Sequence, residues 1–240
     1  MSHGVTKVIH CATDYGRGTD AGSELEMVNY TLPRKLYFLC NDFGCDLFIN
    51  SESFLQKGDD TGRNSEYISS KNKLRTHLLS QPRVTRYVSL QIEHMYGPND
   101  NPSKLVPHVI KKALGGSPII ELGNCSLWRD LVYVDDVVSA FLTVLDKYDV
   151  IEEELLEVGA GVSVDLKEAV FQLLGILNFT MGYVTSKTDL IFNSKDSDQL
   201  YHSVADINPL KKYGWSPVVS LVSGFEKTVA SVAEDVTETL

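Results

Sequence analysis

Tyr67 and Lys71 stand four residues apart in Glu66-Tyr67-Ile68-Ser69-Ser70-Lys71, and on a helix that spacing sets both side chains on one face. A phenol beside an ammonium is an acid/base unit. The cation favours phenolate, so the tyrosine exchanges a proton with a substrate oxygen nearer neutral pH than its ordinary value of about 10 allows. On a solvated helix the same spacing carries no chemistry, so the surrounding elements decide.

Upstream, Asp46-Leu-Phe-Ile-Asn50 reads as a buried strand running into a hydroxyl-rich turn, Ser51-Glu52-Ser53, the end of a strand at which open α/β sheets place reactive groups. Downstream, Tyr87-Val-Ser-Leu-Gln91-Ile reads as a second strand that empties into Glu93-His94-Met95-Tyr96-Gly97-Pro98. Strand patterns at Val5 to Ala12, Cys45 to Asn50, Tyr87 to Ile92 and Leu155 to Val158 alternate with helical stretches around Leu25 to Asp42, Tyr67 to Ser80 and Lys104 to Leu114. Such alternation predicts a parallel sheet with helices on both faces. Asn29 and Pro33 interrupt the first helical stretch, which is expected to be irregular or kinked there. The polar segment Gln56 to Ser65 reads as a mobile loop beside the site.

The 240 residues are 43% hydrophobic, enough for a sizeable core. The net charge of -10 argues against nucleic acid as a partner. Cys11, Cys40, Cys45 and Cys125 lack metal-ligand spacing and read as buried, reduced thiols. There is no apolar leader at the start and no long apolar run, which leads to the expectation of a cytoplasmic protein without membrane spans.

Taken with Trp128-Arg129-Asp130, Asp135-Asp136 and Tyr213-Gly-Trp-Ser-Pro217, these motifs stand in an order that resembles the extended short-chain dehydrogenase/reductase family, the NAD(P)-dependent nucleotide-sugar epimerases, dehydratases and reductases. The run Val8 to Gly16, the Ser51-Glu52-Ser53-Phe54 turn and Glu93-His94-x-Tyr-Gly-Pro98 look most like the CDP-abequose and CDP-paratose synthase branch, which reduces a 4-keto sugar nucleotide. The resemblance implies a Rossmann-like parallel sheet, one partial domain over 1–240, with elements of a small substrate lobe interleaved from about residue 99. It also implies NAD or NADP as cofactor and a nucleotide sugar as substrate.

By the same resemblance Ser51, Tyr67 and Lys71 are catalytic, Cys11 and Ala12 join Tyr67 and Lys71 at the cofactor, and Ser53, His94 and Arg129 meet the substrate. Aligned on the family's Thr-Asp-Glu turn, Ser51 takes the hydroxyl position and is preferred; aligned on its triple-serine turn, Ser53 does. The dehydratases draw an acid and a base from the two residues after that hydroxyl. Glu52 can be one, Ser53 cannot be the other, so a reductase or epimerase is preferred.

The chain departs from the family at three places. It opens at what resembles the fourth strand, so the Gly-x-x-Gly-x-x-Gly loop that holds a dinucleotide pyrophosphate is missing from these residues. Gly159-Ala-Gly161 lacks the third glycine and reads as structural, and Gln91 and Asp196 stand where relatives have arginines, with Lys195 as a substitute cation. Asp135 and Asp136 read as caps of the helix Val137 to Leu145. With three strands missing, Val5 to Ala12 becomes an open, apolar sheet edge that invites self-association. The alternative to an enzyme is a non-catalytic remnant that binds a sugar nucleotide or a protein partner.

Overall fold

The computed structural model describes residues 4–16, 21–58, 64–82, 84–181, 188–193 and 201–238. In order the elements are β1 (Lys7–His10), α1 (Ala21–Glu26), a π turn (Met27–Thr31), α2 (Leu32–Asp42), β2 (Leu47–Ser53), a 3-10 turn (Phe54–Lys57), α3 (Ser65–Leu79), β3 (Arg86–Ile92), β4 (His94–Tyr96), α4 (Leu105–Leu114) and β5 (Ile119–Leu122). There follow β6 (Trp128–Arg129), β7 (Leu131–Tyr133), α5 (Val134–Lys147), β8 (Leu155–Val158), β9 (Val164–Asp165), α6 (Leu166–Met181), β10 (Asp189–Phe192), α7 (Asn208–Lys212) and α8 (Leu221–Glu238). They form two compact units: Met1–Ile92, Ser139–Val158 and Asp206–Ser216 in one, Glu93–Val138, Gly159–Ala205 and Pro217–Leu240 in the other.

The first unit is built on a four-stranded sheet in the order β1-β2-β3-β8, with every pair parallel. Leu47, Phe48 and Ile49 are all fully buried, as expected of a strand covered on both faces. Phe48 and Tyr87 pack with Tyr37, Leu74 and Leu78 from α2 and α3. Tyr37 meets the rings of Phe48 and Tyr87 edge-on at 5.5 and 5.8 Å, the geometry that aromatic quadrupoles favour. β1 pairs only with β2 among the described strands, and Val5 and Ile9 stand 70% and 42% exposed. The apolar edge read from the sequence is therefore present.

Three local expectations change in detail. The irregularity around Asn29 and Pro33 is the π turn, which hands over to α2 with Pro33 near its first position, where a missing N–H costs nothing. Ser51-Glu52-Ser53 is not a turn: β2 continues through it, in register with Leu90, Gln91 and Ile92 of β3. It stops at Ser53, whose hydroxyl accepts the Leu55 amide while Gln56 reaches back to the Ser53 amide, a reciprocal cap. α5 starts at Val134, so Asp135 and Asp136 lie inside its first turn instead of capping it. Asp136 is buried and accepts the amides of Val218 and Val219 at 2.9 and 3.0 Å.

The second unit packs α4, α6 and α8 around Val109, Ile110, Leu173, Leu177, Phe225 and Val229. Its strands form three short pairs, β4 with β7, β5 with β10 and β6 with β9. Tyr96-Gly97-Pro98 serves as a turn, as read: a Cβ on Gly97 would meet Val134 Cγ1 at 2.6 Å. Among the described residues no helix is long and apolar enough to cross a membrane, and none of their His, Cys, Asp or Glu side chains cluster as metal ligands.

Candidate active site

In the first unit α3 delivers Tyr67 and Lys71 from one face to the C-terminal end of β2. Both are buried, with 4% and 2% exposure. The Lys71 ammonium donates to the Ser51 carbonyl oxygen at 3.1 Å and lies 6.0 Å from the Tyr67 ring centre. The side chains of Ser53 and Thr13 lie beside the phenol and favour its charged form. Ser51 offers its carbonyl to the lysine, while Ser53 is the serine whose side chain acts on the tyrosine.

The electrostatics reverse one expectation. The Tyr67 phenol is not drawn down by Lys71. Burial, followed by the neighbouring Tyr15 phenol, pushes it up to about 12, because the charged form loses its water. Lys71 is itself pushed down to about 8 by burial, against the opposing pull of Glu52 and Cys11. Tyr15 stacks on Tyr67 with ring centres 5.1 Å apart and planes 20° from parallel. Tyr15→Ala is accordingly expected to return the phenol toward its ordinary value of about 10. The check is the rate of tetranitromethane nitration at Tyr67, which should rise; an unchanged rate would show that Tyr15 neither covers nor perturbs it.

Thr13 and Asp14, which lead into Tyr15, are held by a residue the sequence reading did not assign to the site. Asn29, fully buried on the π turn, accepts the Asp14 amide at 2.9 Å and the Thr13 hydroxyl at 3.2 Å. Its amide nitrogen donates to the Asp14 carbonyl at 2.8 Å and to Ser70 Oγ at 3.2 Å. One side chain thus ties the loop after β1 to the helix that carries Tyr67. An asparagine inside an otherwise helical stretch was the available signal.

Glu52 acts on this cluster through its charge, helping to hold Lys71 protonated. Its side chain is sealed from solvent and accepts Arg75 at 2.8 Å, Ser89 Oγ at 2.9 Å and Gln56 Nε2 at 3.1 Å. Burial holds the carboxyl above its ordinary range, with Arg75 the chief opposing influence. A carboxylate so engaged ties β2 to α3 and β3.

In the second unit His94 opens β4 and Arg129 closes β6. Burial, then the charges of Arg129 and Lys104, push His94 down to about 3, so the ring is neutral at physiological pH. Arg129 is 2% exposed and donates to the Trp128 and Tyr201 carbonyls, both at 3.0 Å. Asp130 accepts the amides of Ala160, Gly161 and Ala205 at 2.6, 2.9 and 3.1 Å. A Cβ on Gly159 would lie 2.3 Å from that carboxylate, so Gly159-Ala160-Gly161 is the structural turn the sequence suggested. Lys195 and Asp196 lie outside the described residues, as do positions 59–63 of the loop read beside the site.

For a nicotinamide cofactor, the residues of the first unit fit one half of the group. Cys11 and Ala12 are exposed at the C-terminal end of β1, so Cys11 is not the buried thiol expected from the sequence. Lys71 offers three donors and one hydrogen bond is recorded for it, to Ser51, which leaves donors for ribose hydroxyls. For the pyrophosphate, no run of three glycines in the dinucleotide-binding spacing occurs in the chain.

Residues 1–159 match the model of the NAD dependent epimerase/dehydratase family. CDP-abequose synthase of Salmonella muenchen is 31% identical over 243 residues, which cover 95% of this chain and 78% of that protein. UDP-glucose 4-epimerase of Thermotoga maritima, solved with UDP-glucose, superimposes with a TM-score of 0.79 at 20% identity, over 96% of this chain and 78% of the other. RMD of Pseudomonas aeruginosa, complexed with NADPH, gives 0.78 at 16% identity, over 96% and 82%. At these identities the solved structures speak for the fold, a Rossmann-like α/β sheet.

Proposed function

The chain belongs to the NAD dependent epimerase/dehydratase family, and we propose that it acts as a reductase on the 4-keto group of a nucleotide-diphospho sugar, with CDP as the nucleotide. One observation carries this reading: burial keeps the phenol of Tyr67 protonated beside the side chains of Ser53 and Thr13, while the only carboxylate of Ser51-Glu52-Ser53 is locked into a buried network with Arg75. Dehydration needs a carboxylate that reaches the sugar. Reduction needs a proton donor at the carbonyl oxygen.

A bound reduced nicotinamide would supply the hydride. The keto oxygen would take the place of one hydroxyl at Tyr67, which gives its proton as negative charge builds on that oxygen. Ser53 would donate to the resulting phenolate, and the Lys71 ammonium would stabilise it from nearby while holding the nicotinamide ribose. Cys11 and Ala12 would line the nicotinamide. The similarity to CDP-abequose synthase supports the choice of CDP.

The alternative expected from the sequence is a protein that binds the sugar nucleotide without turning it over. The discriminating experiment follows NADH or NADPH fluorescence with a CDP-4-keto-6-deoxyhexose, alongside calorimetric titration of CDP and of each cofactor. Cofactor-dependent reduction supports the first reading. Binding of CDP with neither cofactor binding nor turnover would support the second.

A further inference from the structure

Two cysteines meet where α2 turns into β2. Gly44 adopts a left-handed conformation (φ 66) just past the helix. Across it the Cys45 amide donates to the Cys40 carbonyl at 2.8 Å. This is the helix-ending arrangement in which the residue after the glycine packs its side chain against the helix residue five positions earlier. The bond lengths, with the fixed angle at the carbonyl, then limit the two Cα atoms to a separation of about 6.7 Å or less. A disulfide spans Cα separations of about 4.4 to 6.8 Å. Both residues are 5% exposed in the same aromatic cluster, both thiols are free, and the Cys45 thiol is close enough to help raise that of Cys40. The Cys45 sulfur also donates to the Val5 carbonyl at 3.3 Å, just ahead of β1.

We propose that Cys40 and Cys45 form a thiol modification site, which a small-molecule disulfide such as oxidised glutathione converts into an intramolecular disulfide. One cysteine loses its proton and attacks a glutathione sulfur, releasing one glutathione thiolate and leaving a mixed disulfide. The second cysteine, deprotonated in turn, attacks the protein-side sulfur of that bond and expels the other glutathione. Two thiols and one glutathione disulfide thus become one protein disulfide and two glutathiones, and the chain loses two hydrogens.

Entry of the oxidant requires only that the last turn of α2 open, and its tip, Phe43, is already 81% exposed. Local openings of this kind occur without global unfolding. Burial holds the Cys40 thiol up at about 11, so the exchange should be slow near neutrality and faster in alkali. Once the bond forms, Cys45 has no S–H to give Val5, and the lead-in to β1 loses an anchor.

The test is incubation of the folded chain with oxidised glutathione, followed by alkylation in denaturant and mass mapping after cleavage at Phe43. The expected result is loss of two of the four titratable thiols, a Cys40 peptide joined to a Cys45 peptide, and full reversal by dithiothreitol. Cys45→Ser should abolish the bridge and leave at most a glutathione adduct on Cys40. Four alkylated thiols after oxidation, an adduct on Cys11 alone, or any other pairing would overturn the proposal.

Discussion

Tyr67→Phe is expected to lower turnover of a 4-keto sugar nucleotide by about 100-fold or more, the usual contribution of a positioned proton donor, with cofactor affinity close to that of the parent chain. The ring and its stacking partner Tyr15 would remain, so the loss would report the hydroxyl. Lys71→Ala should damage both quantities, because its ammonium serves the phenolate and the ribose together. Steady-state kinetics with calorimetric cofactor titration separates the two outcomes. Full turnover in Tyr67→Phe would remove the phenol from the mechanism.

The sequence made the sheet legible wherever apolar runs were long enough to be buried on both sides, as in Leu47 to Ile49. The Tyr67/Lys71 pair was legible because a helix period of four is a local property. What could not be read was set by residues distant in the chain. Thr13 and Tyr15 reach Tyr67 from the loop after β1, and it is burial, followed by Tyr15, that lifts the phenol where the lysine alone suggested lowering it, with the Thr13 hydroxyl pulling the other way. Asn29 was read as a helix irregularity, and so it is; its partners at Asp14 and Ser70 make it a tether. In the second unit, strands of two to four residues such as β6 and β9 carry too short a pattern to register. The role of Asp136 shows the same limit: a helix cap is a local inference, whereas its amide partners lie at Val218 and Val219.

The largest stability effect is expected from Arg75→Met, which leaves Glu52 as a buried carboxylate without its cation. Removing one member of a buried ion pair costs about 3–5 kcal/mol at neutral pH, because the remaining charge keeps its desolvation penalty. Even in the parent chain burial holds Glu52 above its ordinary range. The folded state therefore keeps a proton at pH values where the unfolded chain has released it. The contribution of this group to stability is fully present below the unfolded pKa and is lost as pH rises through the folded one. Without Arg75 the folded value climbs further and that window widens. The variant should therefore recover stability on acidification, and urea denaturation at about pH 5 and about pH 8 reads the difference directly. The double variant Glu52→Gln/Arg75→Met should regain part of the loss at the higher pH, since no lone charge remains. An Arg75→Met loss that is the same at both pH values, and is not relieved by Glu52→Gln, would mean that Arg75 acts through packing and that the Glu52 carboxylate is solvated in the folded protein.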